Sequence, residues 1–257
     1  MGYVQLGELQ MFYESAGEGS PLVLLHGAFG GAQIFEAQIA TFSARYRVFV
    51  PEQRGRARTP DQPGPISYQT LTDDVVAFIE SVVGGSTHIV GASDGGIVGV
   101  MLAIQRPDLV SRLVVIGANF HRDGLMPGAA WSSLGPDDDA WKTARQRYAD
   151  SSPDGPDHWP VVFGKLQRMW REEPTLTTDD LSRIGAPVLV MVGDDDAITF
   201  EHTVAMYEAI PEAQLAVIPG ASHVPFLEKP ALVDQVILGF LEESAPPVTL
   251  MPMRRRP

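Results

Sequence analysis

The chain has 257 residues, with 19 Lys and Arg against 32 Asp and Glu, a formal charge of −13, and no cysteine. That length sustains one large domain or two small ones, and the missing cysteine excludes disulfides, iron–sulfur clusters, thiolate zinc sites and a thiol nucleophile. The acidic surplus excludes a nucleic-acid partner as the working reading, because neutralising phosphates requires an excess of Lys and Arg.

The first residues carry no basic region followed by an apolar stretch, so no secretory leader is expected, and Leu6 stands where a myristoylation signal requires Ser or Thr. The longest apolar run, residues 97–104, falls far short of the ~20 residues that span a bilayer. A cytoplasmic protein without membrane contact is the expectation.

Two apolar segments at 4–6 and 9–13, separated by Gly7-Glu8, predict an antiparallel hairpin. Beyond Pro21, short β-branched runs alternate with helical patterns. Strands are predicted at 22–25, 47–50, 88–91, 113–116, 187–192 and 214–218, each almost continuously apolar, as in strands covered on both faces of a parallel sheet. Leu71, Val75, Phe78, Ile79 and Val82 line one face of a helix. Val98, Leu102 and Gln105 continue a second helix until Arg106-Pro107 stops it, and Leu232, Val236 and Phe240 mark a last one entered at Pro230. The alternation predicts an α/β fold with a mostly parallel, doubly wound sheet.

Residues 119–180 interrupt this pattern. They contain no convincing strand, two helical stretches at 137–150 and 157–173, and all four tryptophans, Trp131, Trp141, Trp159 and Trp170. The segment reads as a helical cap inserted into a core formed by 1–118 and 181–243. Its Trp131, Trp159 and Trp170, with Phe29 of the core, are the candidate substrate-binding side chains; Met126, Phe163 and Met169 are further candidates for an apolar pocket wall. Packing of these residues onto the sheet is the alternative reading. The tail, 244–257, ends in three arginines and a proline and is expected to fray.

The most specific chemical signal is Gly91-Ala92-Ser93-Asp94-Gly95-Gly96. It is a G-x-S-x-G sequence between a strand and a helix, the context a nucleophile elbow needs. The sharp turn strains the serine backbone, and glycines two residues to either side remove Cβ atoms that would collide. No phosphate-binding glycine pattern can be laid on the same residues. A serine needs a base and an orienting acid, expected in the order Ser, acid, His. The strand at 187–192 runs into Asp194-Asp195-Asp196, and three adjacent carboxylates cannot all be buried and ionised. One must turn inward, and Asp196 is assigned that place. His223, after the last strand and after the acid, is the candidate base. His26-Gly27-Ala28-Phe29-Gly30 follows the first parallel strand, where the Ala28 N–H can join that of Asp94 in an oxyanion site, with His26 as a structural loop residue.

These residues together resemble the α/β-hydrolase superfamily across nearly the whole chain. The resemblance includes the segment from Glu52 to Thr59, which looks like the family's D-x-R-G-x-G-x-S with Glu52 for Asp and Ala57 for Gly. It supports Asp196, three residues after the strand-ending Gly193, and keeps Asp123, after the preceding strand, as the alternative acid. Serine at the elbow sets the chain apart from dehalogenases and epoxide hydrolases, which use Asp there. Ser93-Asp94-Gly95-Gly96 is similar to valacyclovir-hydrolase-like enzymes, which implies that the Asp94 carboxylate binds a substrate ammonium group; capping of the following helix is the other reading. The expected activity is hydrolysis of a small carboxylic ester or lactone with a hydrophobic part, without cofactor or metal. A perhydrolase, a C–C hydrolase, an aminopeptidase or a non-catalytic ligand-binding homologue would carry the same motifs.

Overall fold

The computed structural model describes residues 1–127, 129, 133–243 and 249–251. Trp131 and most of the tail lie outside the described residues.

The first two strands, β1 (Gly2–Leu6) and β2 (Leu9–Ala16), form the predicted hairpin, with Leu6 opposite Leu9 across a turn that places Gly7 at φ +57°. Then come β3 (Ser20–Leu25), α1 (Glu36–Phe42), β4 (Tyr46–Pro51), α2 (Tyr68–Phe78), β5 (Thr87–Ala92), α3 (Asp94–Gln105) and β6 (Val110–Ile116). Between β6 and the next strand lie α4 (Lys142–Ser151), α5 (Trp159–Glu172) and the short α6 (Thr178–Leu181). The chain continues through β7 (Val188–Gly193), α7 (Phe200–Ala209), β8 (Ala213–Ile218), α8 (Pro225–Glu228) and α9 (Pro230–Glu242).

The strands form one eight-stranded sheet in the order β1-β2-β4-β3-β5-β6-β7-β8, antiparallel at β1/β2 and β2/β4 and parallel from there on. The continuous apolar runs have a simple cause. In β3, Val23 and Leu25 join one core while Leu22 and Leu24 join the other; Val115 and Val114 of β6 divide in the same way. Side chains alternate between faces, so a strand buried on both sides must be apolar at every position. One face is covered by α2, α3 and α7, through residues such as Leu71, Phe78, Leu102 and Met206. The other is covered by α1 and α9, through Phe42, Val233, Ile237 and Phe240.

The helices begin and end where local chemistry dictates. Ser67 caps α2 by accepting from the Thr70 N–H, and Thr70 returns the bond to the Ser67 N–H. The apolar stripe continues past Phe78 because Ile79–Val83 forms a π turn that ends at Gly84, φ +84°. None of the described helices is long and apolar enough to cross a membrane.

Candidate active site

Ser93 lies at the junction of β5 and α3 with φ +54° and ψ −121°, a conformation that costs a non-glycine residue of order 1–3 kcal/mol. Its neighbours make the turn possible. A Cβ on Gly91 would sit 2.3 Å from the Gly95 carbonyl oxygen, and one on Gly95 would sit 2.1 Å from that of Leu25. The turn is held by the Ser93 N–H, which donates to Ile116 O at 2.8 Å, and by Gly96 N–H, which donates to Ser93 O at 2.8 Å.

Two loops from the far side of the sheet meet the serine. His223, between β8 and α8, places Nε2 3.0 Å from Ser93 Oγ and Nδ1 2.8 Å from Asp196 Oδ1. With Nδ1–H donating its hydrogen bond to the carboxylate, Nε2 is left to accept from the serine hydroxyl. Asp196 also accepts from the Ile198 N–H at 3.0 Å, and its side chain is 1% exposed. The other two members of the acidic triplet are accounted for differently. Asp194 accepts from the Ala221 N–H, and backbone bonds from Gly220 and Ala221 hold its carboxyl below the ordinary range; Asp195 is exposed. Asp123 is 79% exposed at its side chain and faces His121 and Arg122, not His223.

One residue that sequence reasoning missed stands behind this group. Gly117, φ +54°, follows β6, and a Cβ there would come 3.1 Å from His223 Nδ1 and 3.2 Å from Asp196 Oδ2. A glycine after a buried strand is too common a pattern to have pointed to it.

The Ala28 and Asp94 backbones border the same cavity as Ser93, and among the described residues neither N–H is engaged by a hydrogen bond. Gly27 lets the loop approach, since a Cβ there would be 3.0 Å from Ser93 Cβ. His26 anchors the loop from below. It is fully buried, its Nδ1–H donates to Gly27 O at 2.8 Å, and Nε2 accepts from the Gln53 N–H at 3.0 Å. Burial lowers its pKa to about 4, so the ring is neutral at pH 7.

The Asp94 side chain does not cap α3. Its carboxylate, 4% exposed, accepts from Arg56 Nη2 at 3.2 Å, from the Tyr68 hydroxyl at 2.8 Å and from Trp170 Nε1 at 3.2 Å. Arg56, 1% exposed, also donates through Nε to Ala28 O at 2.9 Å and through Nη1 to Gln53 Oε1 at 3.3 Å. The sequence showed only three closely spaced arginines there. Arg54 binds Asp74 with two bonds of 2.6 Å, and Arg58 pairs with Glu14 and Glu52.

The cavity above Ser93 holds about 340 Å³. Phe29, Ile97, Leu125, Trp141, Trp170 and Ile198 supply much of its apolar wall. Trp170 and Phe29, predicted to face substrate, do line it. Trp159 does not: it is 2% exposed, packs behind Phe29 with tilted rings whose centroids are 4.7 Å apart, and its Nε1–H donates to Pro136 O. Phe163 and Met169 are buried in the same packing, and Met126 is 47% exposed outside the lining. Both indoles lie on the same side of α5 and differ in their place along it: Trp159, in the first turn, meets Tyr148 and Pro136, whereas Trp170, in the last turn, reaches Asp94 and the cavity. Trp141, at the start of α4, stacks against Trp170 at 6.3 Å.

An elbow serine, an acid-oriented histidine and a pair of open backbone donors on this sheet define an α/β-hydrolase arrangement. The family model for the alpha/beta hydrolase family matches residues 22–236, and the chain belongs to that family. Among curated proteins it is similar to a putative carbamate hydrolase, RutD, of Azorhizobium caulinodans, 24% identical over 95% of this chain and 99% of that one. Among solved structures it resembles the meta-cleavage product hydrolase CumD of Pseudomonas fluorescens IP01, with a TM-score of 0.82 and 21% identity over 95% and 98% of the chains. It also resembles Est816, described as an N-acyl homoserine lactone degrading enzyme, with a TM-score of 0.73 and 25% identity over 93% and 99%.

Proposed function

We propose that the chain is a serine hydrolase that cleaves a carboxylic ester or lactone bearing a hydrophobic part, through an acyl-enzyme. The observation that carries the reading is the continuous relay from Asp196 Oδ1 through His223 to Ser93 Oγ, with spacings of 2.8 and 3.0 Å, opening into an apolar cavity.

In this reading Ser93 Oγ attacks the carbonyl carbon as its proton passes to His223 Nε2. The carbonyl oxygen becomes an oxyanion and is received by the Ala28 and Asp94 N–H groups, a type of interaction worth roughly 2.7–4 kcal/mol per donor in the transition state. The imidazolium, held in place by Asp196, returns the proton to the departing alkoxide. Water then attacks the acyl carbon while giving one proton to His223, and the imidazolium passes that proton to Ser93 Oγ as the carboxylic acid product departs. Phe29, Trp141 and Trp170 receive the hydrophobic part, with α4 and α5 acting as the cap over it. A lactone is a cyclic ester, and the likeness to a lactone-degrading enzyme supports that branch of the reading.

A panel of p-nitrophenyl esters and lactones of graded acyl length, with Ser93→Ala as the blank, tests the proposal. Turnover that disappears in Ser93→Ala is expected. Undiminished turnover in that variant overturns the mechanism, and Ser93-dependent cleavage confined to carbamates or C–C bonds overturns the substrate class. Failure of a fluorophosphonate to label Ser93 would instead favour a non-catalytic binding protein.

A further inference from the structure

The loop carrying one proposed oxyanion donor is built from small residues, Gly27, Ala28, Gly30 and Gly31 around Phe29, which by themselves leave the backbone free to move. The other donor sits on the first turn of α3. The two belong to the ends of different strands, β3 and β5, and the relative placement of their N–H groups decides whether an oxyanion is bound.

A single side chain joins them. Arg56 holds the Ala28 carbonyl through Nε and the Asp94 carboxylate through Nη2, and its third bond goes to Gln53, whose backbone N–H holds His26 of the same loop. A planar guanidinium fixes the distance and angle between the groups it bridges, which an ammonium on a flexible stem does not. Tyr68 and Trp170 occupy the remaining acceptor positions of Asp94, so that carboxylate is kept from swinging toward substrate or solvent. A buried ion pair is weak evidence for stability, since apolar replacements often serve as well or better. Its geometry here has a more specific use.

We propose that Arg56 is a positioning residue for the transition state: acting through Ala28 and Asp94, it sets the separation of the two backbone donors that receive the oxyanion. The proposal rests on the reading of Ser93 as an acyl-transfer nucleophile. Arg56 touches no reacting atom; its effect passes through the two residues it ties together.

Three variants test it. Arg56→Lys keeps the charge but loses the fork. Arg56→Met removes the bridge and leaves Asp94 unpaired. Arg56→Met combined with Asp94→Leu removes both buried charges while keeping the Asp94 backbone donor. Each is measured for kcat, KM, urea midpoint and the affinity of a trifluoromethyl ketone, whose adduct with Ser93 places an oxyanion between the donors. The expected result is a kcat loss of about 10²-fold, the scale of a misplaced or missing oxyanion donor. KM stays within about threefold, and ketone affinity falls in step with kcat/KM. The double variant recovers the urea midpoint lost by Arg56→Met but not the kcat. Wild-type kcat in either Arg56→Lys or the double variant overturns the proposal, as does a loss expressed only in KM. Failure of the underlying reading shows separately, as wild-type activity that does not depend on Ser93.

Discussion

Asp196 and His223 meet at 2.8 Å with the carboxylate almost wholly removed from solvent, whereas Asp123, the other acid in suitable chain order, stays on the surface. A buried carboxylate that accepts from Nδ1–H fixes the imidazole tautomer and stabilises the imidazolium. Asp196→Asn is therefore expected to lower kcat by about 10⁴-fold, since the amide favours the wrong tautomer. Asp123→Asn should leave kcat within about twofold, because exposed substitutions of this kind rarely disturb their surroundings. Steady-state kinetics on one responsive ester decides between them; a larger loss in the Asp123 variant would move the acid to the end of β6.

The neutral His26 makes stability depend on pH in one direction. In the unfolded chain it takes a proton near pH 6.5, but in the folded protein only at about 4. Between those values the unfolded state binds more protons, so the stabilisation is complete above pH 6.5 and drains away as the pH falls toward 4. For a fully buried ring this amounts to roughly 3 kcal/mol at the acid end. His202, stacked on Phe120 with centroids 3.9 Å apart and accepting from its N–H, is likewise lowered to about 4. Histidine ring NMR should show these two side chains still neutral at pH 5.5; a His26 midpoint near 6.5 would contradict the burial argument.

Gly117→Ala is expected to damage activity more than folding. The new Cβ would press on His223 Nδ1 and Asp196 Oδ2 at 3.1 and 3.2 Å, on a backbone with φ +54°. The left-handed conformation costs about 1–2 kcal/mol for alanine. Displacing the histidine by a fraction of an ångström should cost at least about tenfold in kcat. Parallel urea titration and kinetics will separate the two losses, and an unchanged kcat would mean that the ring tolerates the intrusion.

The bonds around Asp94 also bear on substrate charge. With Arg56 paired to it and Tyr68 and Trp170 donating, its carboxylate presents no uncompensated negative charge to an ammonium group. An α-amino ester and its des-amino counterpart should therefore have kcat/KM values within about threefold, well under the tenfold that each ~1.4 kcal/mol of binding would add. A preference of tenfold or more for the amino ester would show that the carboxylate can still receive a cation.

How much of this was legible depended on whether a residue's neighbours were local. The strands were readable because burial on both faces leaves no polar position in Leu22–Leu25 or Leu113–Ile116. The elbow was readable because the steric exclusion at Gly91, against the Gly95 carbonyl, acts within five residues. Arg56 was not, since an arginine two residues from two others looks like a solvated face until β3 and β5 bring Ala28 and Asp94 to it. The tryptophans are recognisable as a group in the sequence, but the choice among them includes Trp159, which is buried away from the cavity, and passes over Trp141, which lines it. Trp159 and Trp170 share one side of α5, and which of them borders the cavity depends on what meets each end of the helix, Tyr148 and Pro136 at the first turn and Asp94 at the last.

The Arg56–Asp94 pair has a historical consequence as well. Losing one partner leaves the other charged and buried, at a cost of about 3–5 kcal/mol against a total stability of roughly 5–15. Single-step intermediates between this arrangement and an uncharged one are thus close to unfolding, although either end state can be stable. The two positions should be inherited as a unit: a descendant that replaces the residue after the nucleophile should carry a changed residue 56 too, and exchanging only one between homologues should reveal strong epistasis.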